Sequence, residues 1–188
     1  MRKRKFWGWG YEDQLLTDEE DKSIENRIAQ NFSLDEVKAV PIPKAEDIDL
    51  PTPRVSIPSS LENVLTDDHL ERLNHAYGKS FPDLARSILG IFPNPPDLVA
   101  YPNSQLEVVN TLDWANENSI AVVPYGAGSS VCGGVETDVG GDYSGVISMD
   151  MRKMDKILEI DKESRAARIE AGIVGPDLEN QLKEHQLT

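Results

Sequence analysis

Cysteine is almost missing from this 188-residue chain. Cys132 stands alone, so no internal disulfide can form, and that usage suits a reducing compartment such as the cytoplasm. Long apolar runs are also lacking: no window approaches the roughly 18 consecutive apolar residues that a membrane span requires. The opening MRKRK imitates the positive region of an export signal, but KFWGWGYEDQ follows where a continuous apolar segment would have to stand. Bases are scarce, 19 Lys and Arg against 33 Asp and Glu, and the resulting net charge of -14 repels phosphate backbones and anionic surfaces, which argues against nucleic acid as a partner. His69, His75 and His185 have no ligand-like spacing of Cys, His or carboxylate around them; they read as surface or satisfied helix histidines, and no metal is expected.

What is present has a clear order. From Thr17, TDEEDKSIENRIAQNF has a capping residue, acids in its first turn and Ile24 and Ile28 one turn apart, which predicts a surface helix. Residues 40–58 contain Pro41, Pro43, Pro51, Pro53 and Pro58, so they form neither helix nor central strand. They should run extended, with Ile42, Ile48, Leu50, Val55 and Ile57 laid against a surface. TDDHLERLNHAYG predicts a helix capped at Thr66 or Asp67 and stopped at Gly78, and SFPDLARSILG a second one ended by Gly90.

LVAYP at 98–102 and AVVP at 121–124 read as buried strands flanking a helix whose Leu106, Val109, Leu112 and Trp114 recur at helical spacing. Strand, helix and strand make a small βαβ unit with parallel strands. GVISMDM, KILEID and RAARIEAG follow as three strand-like runs on short turns, expected to be antiparallel, and VGPDLENQLKEHQ adds a helix opened by Pro176. The fold class is α+β. The chain divides into an arm, helix and proline-rich linker at 1–58, a helical segment at 59–91, and the sheet-bearing portion at 92–188.

One stretch carries almost no side chain: AVVPYGAGSSVCGG at 121–134, with four glycines and two serines in its last ten residues. A strand that delivers such a turn exposes backbone N–H groups without obstruction, and several of them pointing inward suit anionic oxygen. The hydroxyls of Ser129 and Ser130 can add hydrogen bonds. A P-loop would need Lys and then Ser or Thr after the last glycine, whereas Val135 and Glu136 follow Gly134. A dinucleotide fingerprint would lead into a helix, whereas GGVETDVGGDYSG returns to turn residues. The amides themselves must therefore hold the guest; plain turn geometry is the competing account.

The order strand, helix, strand, P-x-G-x-G-S-S, further glycines, three strands and a helix resembles the first part of the PCMH-type FAD-binding domain of the vanillyl-alcohol oxidase and p-cresol methylhydroxylase family, over about residues 92–188. In addition, FWGWGYED, PPDLVAYPNSQLEVV and IEAGIVGPDLENQLKEHQLT resemble the alkylglycerone-phosphate synthase family of ether-lipid synthesis. The resemblance implies that the loop wraps the FAD diphosphate. Gly126, Gly128, Ser129 and Ser130 are its main contacts, with Pro124, Tyr125, Ala127, Val131, Gly133 and Gly134 shaping or touching the site, and with Gly172, Gly175 and Pro176 near the flavin.

Two departures matter. Ala127 stands where the family usually has glycine, which is harmless if its φ is negative. Ser129 stands where relatives with covalently held flavin place histidine, so the FAD is expected to be non-covalent. Cys132 is expected to be a small buried filler rather than a catalytic group, and Trp7 and Trp9 to anchor the arm on its own fold. No catalytic residue is assigned: the family's cap domain and the second half of its FAD domain lie beyond the matching region, so the chain is expected to be inactive alone, with those parts or a second copy as partners. An FAD-linked oxidase or dehydrogenase of a 2-hydroxy acid, and a non-catalytic interaction module that has lost flavin, are the alternatives.

Overall fold

The computed structural model describes residues 3–188. Four strands build its main sheet: β1 (Leu65–Thr66), β2 (Leu98–Ala100), β3 (Ile120–Tyr125) and β4 (Gly145–Asp150). The spatial order is β1-β2-β4-β3; β2 and β3 each run parallel to β4, and β1 closes one edge antiparallel to β2. Ile147 at the centre of β4 lies opposite Leu98 on one side and Val122 on the other. A separate antiparallel pair, β5 (Ile157–Asp161) and β6 (Ala166–Ile169), follows.

This is the α+β arrangement that the sequence predicts, with one correction. GVISMDM was expected to be antiparallel, yet β4 is the parallel central strand, buried along its whole length, and it separates the two strands of the βαβ unit. The cause is the connection between β3 and β4. A parallel return needs a dozen or more residues but not necessarily a helix, and residues 126–144 supply that length as irregular chain.

The helices follow their caps. In α1 (Asp18–Phe32), Thr17 and Glu20 form a reciprocal capping box and no residue is buried, so it is a surface helix. The next, α2 (His69–Asn74), is capped by Asp68, whose carboxylate accepts from Glu71 N–H at 3.0 Å. Thr66 cannot cap it because it pairs with Val99 in the sheet, and the helix ends at His75, short of Gly78. A second capping box, Ser80 with Asp83, opens α3 (Phe81–Ile88), and Gly90 takes φ +68° just beyond.

Apolar spacing misled at α4 (Gln105–Glu117). Leu106, Val109 and Leu112 face outward, while Val108, Thr111, Trp114 and Ala115 turn toward the protein. Small residues let a helix approach a sheet closely, and Thr111 can be buried because its hydroxyl donates to Glu107 O at 2.8 Å. Pro176 opens α5 (Gly175–Glu184) as expected.

Two apolar clusters hold these elements. Leu61, Val64 and Leu65 pack with Leu98, Ala115, Ile120, Ile147 and Met149, and Val55 and Ile57 of the proline-rich segment lie against them. The second cluster gathers Phe6, Ile48, Leu73, Ala76, Tyr77 and Phe92, with Trp7 and Leu50 at its edge. The proline-rich segment thus runs over both clusters without regular structure beyond a single turn at Ala45–Asp47, although Ile42 is exposed.

A buried carboxylate stitches that segment to the sheet. Asp97, immediately before β2, accepts from Arg54 N–H, the Arg54 guanidinium and Val146 N–H, each at 2.7 Å. Burial alone would raise this carboxyl, but the hydrogen bonds from Arg54 and Val146 outweigh it and hold the group below its ordinary value. The stabilisation is therefore complete above the unfolded value of about 3.9 and is lost as pH falls through the depressed folded value. Replacing Asp97 with Asn should cost about 2–4 kcal/mol at pH 7, because the Arg54 charge loses its partner and one N–H its acceptor. In urea unfolding followed from pH 7 to pH 3, the gap between variant and wild type should narrow below about pH 4; a variant as stable as wild type at pH 7 contradicts this account.

Candidate functional site

The glycine-rich loop leaves β3 at Tyr125, and its base is a single fixed side chain. Tyr125 is buried and its hydroxyl donates to Asn74 O at 3.1 Å, at the end of α2. Gly128 sits directly over that ring with φ +67°, where an added Cβ would fall 2.0 Å from the tyrosine oxygen. Gly126 is different: it has no positive φ, and an added Cβ would meet open space. Ala127 is not among the residues with positive φ, so its methyl brings no backbone strain.

Three of the loop's eight carbonyls are tied down. Ala127 O accepts from the Arg4 guanidinium, Ser130 O from Lys79 N–H at 2.6 Å, and Gly133 O from Glu136 N–H at 3.1 Å. By contrast, among the described residues none of the backbone N–H groups from Gly126 to Gly133 donates to a protein acceptor. Eight successive donors without a protein acceptor, on a loop in which three carbonyls are used internally, make a surface that offers hydrogen bonds to anionic oxygen.

The remaining predicted residues fall around this surface. Ser129 is exposed, and Ser130 Oγ accepts from Gly134 N–H at 3.0 Å, so its hydroxyl braces the loop. Val131 points to solvent, and Gly133 takes φ +79°. Pro124 pairs with Met149 as part of β3 and is exposed. Cys132 is exposed rather than buried, because the loop tip offers no core for it to fill. Farther on, Glu136 and Asp83 share the Arg86 guanidinium, and Thr137 donates to Asn94 O at 2.7 Å, which fixes the far side of the loop.

A cavity of about 380 Å3 opens beside Tyr125 and Ala127. Lys3, Arg4, Lys79, Arg152 and Lys153 line it, against the one carboxylate of Glu71. Behind its wall Asp150, at the end of β4, is fully buried and binds both His75 Nε2 at 2.9 Å and the Arg152 guanidinium. Burial would raise the Asp150 carboxyl, yet His75 and Arg152 hold it below the ordinary range. His75 Nδ1 lies 2.7 Å from Glu71 O, so both ring nitrogens face oxygen acceptors and the residue is a satisfied, buried histidine.

Lys79 has no carboxylate partner among the described residues. Its ammonium donates to Lys5 O at 3.2 Å; burial brings it down to about 8, Arg4 pushes in the same direction, and Asp83 opposes them only partly. Asn74 also lines the cavity, and its Oδ1 is buried with no hydrogen-bond partner among the described residues.

The N-terminal arm reaches this cavity because its apolar residues are anchored elsewhere. Phe6 is buried, with Trp7 edge-on to it at 4.9 Å and Phe92 at 6.1 Å, and a bridge between Arg4 and Tyr11 folds the arm back. Trp9, expected to help, is 55% exposed. Gly172 lies so close to the turn after β4 that a Cβ would come within 1.7 Å of Met151 O, and together with Arg4 and Arg152 it lines a second cavity of about 290 Å3. Gly175 and Pro176 begin α5 and are not part of either wall. Sequence reading gave no hint of Arg4, Lys79, Asp150 or Arg152: each is an ordinary charged residue until the fold brings residues 4, 79, 127 and 152 together.

Comparison with known proteins places the loop in context. A family model described as FAD binding domain matches residues 96–188. The alkyldihydroxyacetonephosphate synthase of Trypanosoma brucei brucei is 39% identical over 143 residues, covering 72% of this chain and 23% of that protein. A solved alkyldihydroxyacetonephosphate synthase structure superposes with a TM-score of 0.79 at 31% identity, over 97% of this chain and 39% of the other. The mitochondrial D-lactate dehydrogenase (cytochrome) of Arabidopsis thaliana is 32% identical over 127 residues, 68% of this chain and 20% of its own length. The chain thus spans about a fifth to two fifths of the proteins it matches. No helix among the described residues is long and apolar enough to cross a membrane.

The seating of the loop can be tested at Gly78, where an added Cβ would lie 2.3 Å from Ser130 O. Backbone cannot yield as a flexible side chain would, so Gly78→Ala should lift this part of the loop and cost about 1–3 kcal/mol. Hydrogen exchange at residues 79–80 and 134–136 should accelerate; unchanged exchange would mean that the Lys79 contact is not what holds the loop.

Proposed function

Residues 96–188 belong to the FAD binding domain family, and from that premise we propose that this chain is the cofactor-gripping front of a flavin-dependent enzyme of the alkylglycerone-phosphate synthase type. Such an enzyme exchanges the acyl group of acyl-dihydroxyacetone phosphate for a fatty alcohol on the way to ether lipids. The single observation that carries the reading is the polarity of the loop: three of its carbonyls are occupied, whereas among the described residues its N–H groups from Gly126 to Gly133 have no protein acceptor. Neutral donors in that number suit a diphosphate, and the open space over Gly126 leaves room for one. FAD, when bound, supplies the redox-active ring that activates the substrate; the residues of this chain hold and orient it.

The assignments follow from that geometry. Gly126, Ala127, Ser129, Val131 and Cys132 offer their amides, and Ser129 its hydroxyl. Tyr125, Gly128, Ser130, Gly133 and Gly134 set the loop's shape, and Pro124 ends the strand that delivers it. Ser129 gives no attachment point for the flavin ring, so the cofactor is dissociable. Residues 92–188 are the front portion of the FAD domain, with 1–58 and 59–91 as its N-terminal extension, and the reactive groups come from segments that the matching span does not include. Residues 1–188 alone should therefore show no turnover. The lone cysteine supports a reducing setting such as the cytoplasm. A 2-hydroxy-acid oxidoreductase would use the same loop; the synthase reading is preferred because that likeness extends over 97% of the chain, the N-terminal arm included.

Gly126 provides the cleaner mutational test. Valine at Gly128 would strike the Tyr125 hydroxyl and force a β-branched residue into positive φ, so lost flavin there would report a damaged loop. A Cβ at Gly126 has no atom beyond its chain neighbours within 4 Å, which leaves room for valine's branches. Gly126→Val should leave the melting temperature within about 2 °C of wild type and abolish FAD binding in a fluorescence-quenching titration; unchanged affinity would remove the loop from the site.

A further inference from the structure

The loop supplies hydrogen bonds but no charge. Pro124 to Gly134 contains no lysine, arginine or histidine, and the chain around it carries a net charge of -14. A diphosphate brought to such a surface meets an unfavourable field unless cations stand close by. They stand in the adjoining cavity, where five basic side chains face one carboxylate and where, among the described residues, neither Arg4 nor Lys79 is ion-paired. Of the five, Arg152 is already neutralised by Asp150.

Resting on the flavin reading above, we propose that Arg4 of the N-terminal arm and Lys79 are phosphate-binding residues that supply the positive half of the diphosphate site. Both are attached to the loop itself. The Arg4 guanidinium donates to Ala127 O, and the backbone of Lys79 donates to Ser130 O at 2.6 Å. Arg4 keeps further N–H donors after that bond, and a planar guanidinium can hold a carbonyl with one edge and a phosphate with the other. The Lys79 ammonium is partly desolvated beside Arg4, an arrangement that costs energy without an anion and becomes favourable with one. The arm therefore acts as a latch: Phe6 and Trp7 fix it to the second apolar cluster, and Arg4 closes over the loop at Ala127 O.

The test uses the purified protein and two probes, FAD and inorganic pyrophosphate, the latter as a competitor. Arg4→Gln with Lys79→Gln should weaken FAD binding by about tenfold or more, since each removes a charge-assisted contact. It should also flatten the fall in affinity between 50 and 500 mM salt (chosen to span strong and weak screening), and it should abolish competition by pyrophosphate. The pair Arg4→Lys with Lys79→Arg keeps both charges and should restore most of the salt dependence, which a purely structural role of Arg4 on Ala127 would not do. Riboflavin, which lacks phosphate, should bind the glutamine variant as it binds wild type. If the glutamine variant keeps wild-type FAD affinity and salt dependence while Gly126→Val loses FAD, the cations play no part and the loop assignment stands. If Gly126→Val itself retains FAD, the loop assignment falls and this inference falls with it.

Discussion

Everything at this end of the molecule depends on where the carbonyls of residues 126–133 go. A short irregular segment has as many acceptors as donors, and an anion is repelled by the former as strongly as it is drawn to the latter. Here three of the eight carbonyls are committed to Arg4, Lys79 and Glu136, while among the described residues none of the eight donors has a protein acceptor. The polarity of the loop is therefore not a property of its glycines alone. It is imposed by groups that lie far away in sequence.

Those groups explain why the elements around the sheet are arranged as they are. Tyr125 ends β3 as a buried post held by the last turn of α2, and Gly128 has to be glycine because the loop bends back over the phenol. Gly78 brings the chain between α2 and α3 against Ser130. On the far side, Arg86 of α3 lies over the Tyr77 ring at 4.3 Å while binding Glu136, so the second apolar cluster and the returning loop share one guanidinium. Two glycines of one motif thus answer to different constraints: Gly128 to the fold beneath it, Gly126 to whatever occupies the space above.

Local patterns in the sequence were legible wherever a local rule decides the outcome. The Thr17 cap, Gly90, Pro176 and the failure of a helix to start directly after Gly134 all follow from nearest neighbours, and the structure has them. The glycine loop was legible because missing side chains are themselves a signal. Errors came where the third dimension decides. The parallel placement of β4 depends on a crossover that carries no helical pattern, the inward face of α4 on the close approach of Thr111 and Ala115, and the Asp68 cap on Thr66 being taken by the sheet. Cys132 looked like core filler because its neighbours are small, but small neighbours at a loop tip mean exposure.

Charge is where sequence totals were least informative. A net charge of -14 describes the average surface, yet it concealed a cavity of the opposite sign. The two facts are complementary. Hydrogen bonding from amides fixes the orientation of a small anion but decays within contact distance, whereas charge acts over about 8–10 Å at ordinary ionic strength. An acidic chain that must hold a diphosphate therefore needs its few bases concentrated at one point. The arm brings Lys3 and Arg4 there, and the turn after α2 brings Lys79. On the proposal above, Lys3 and Arg4 supply charge that the glycine loop does not carry.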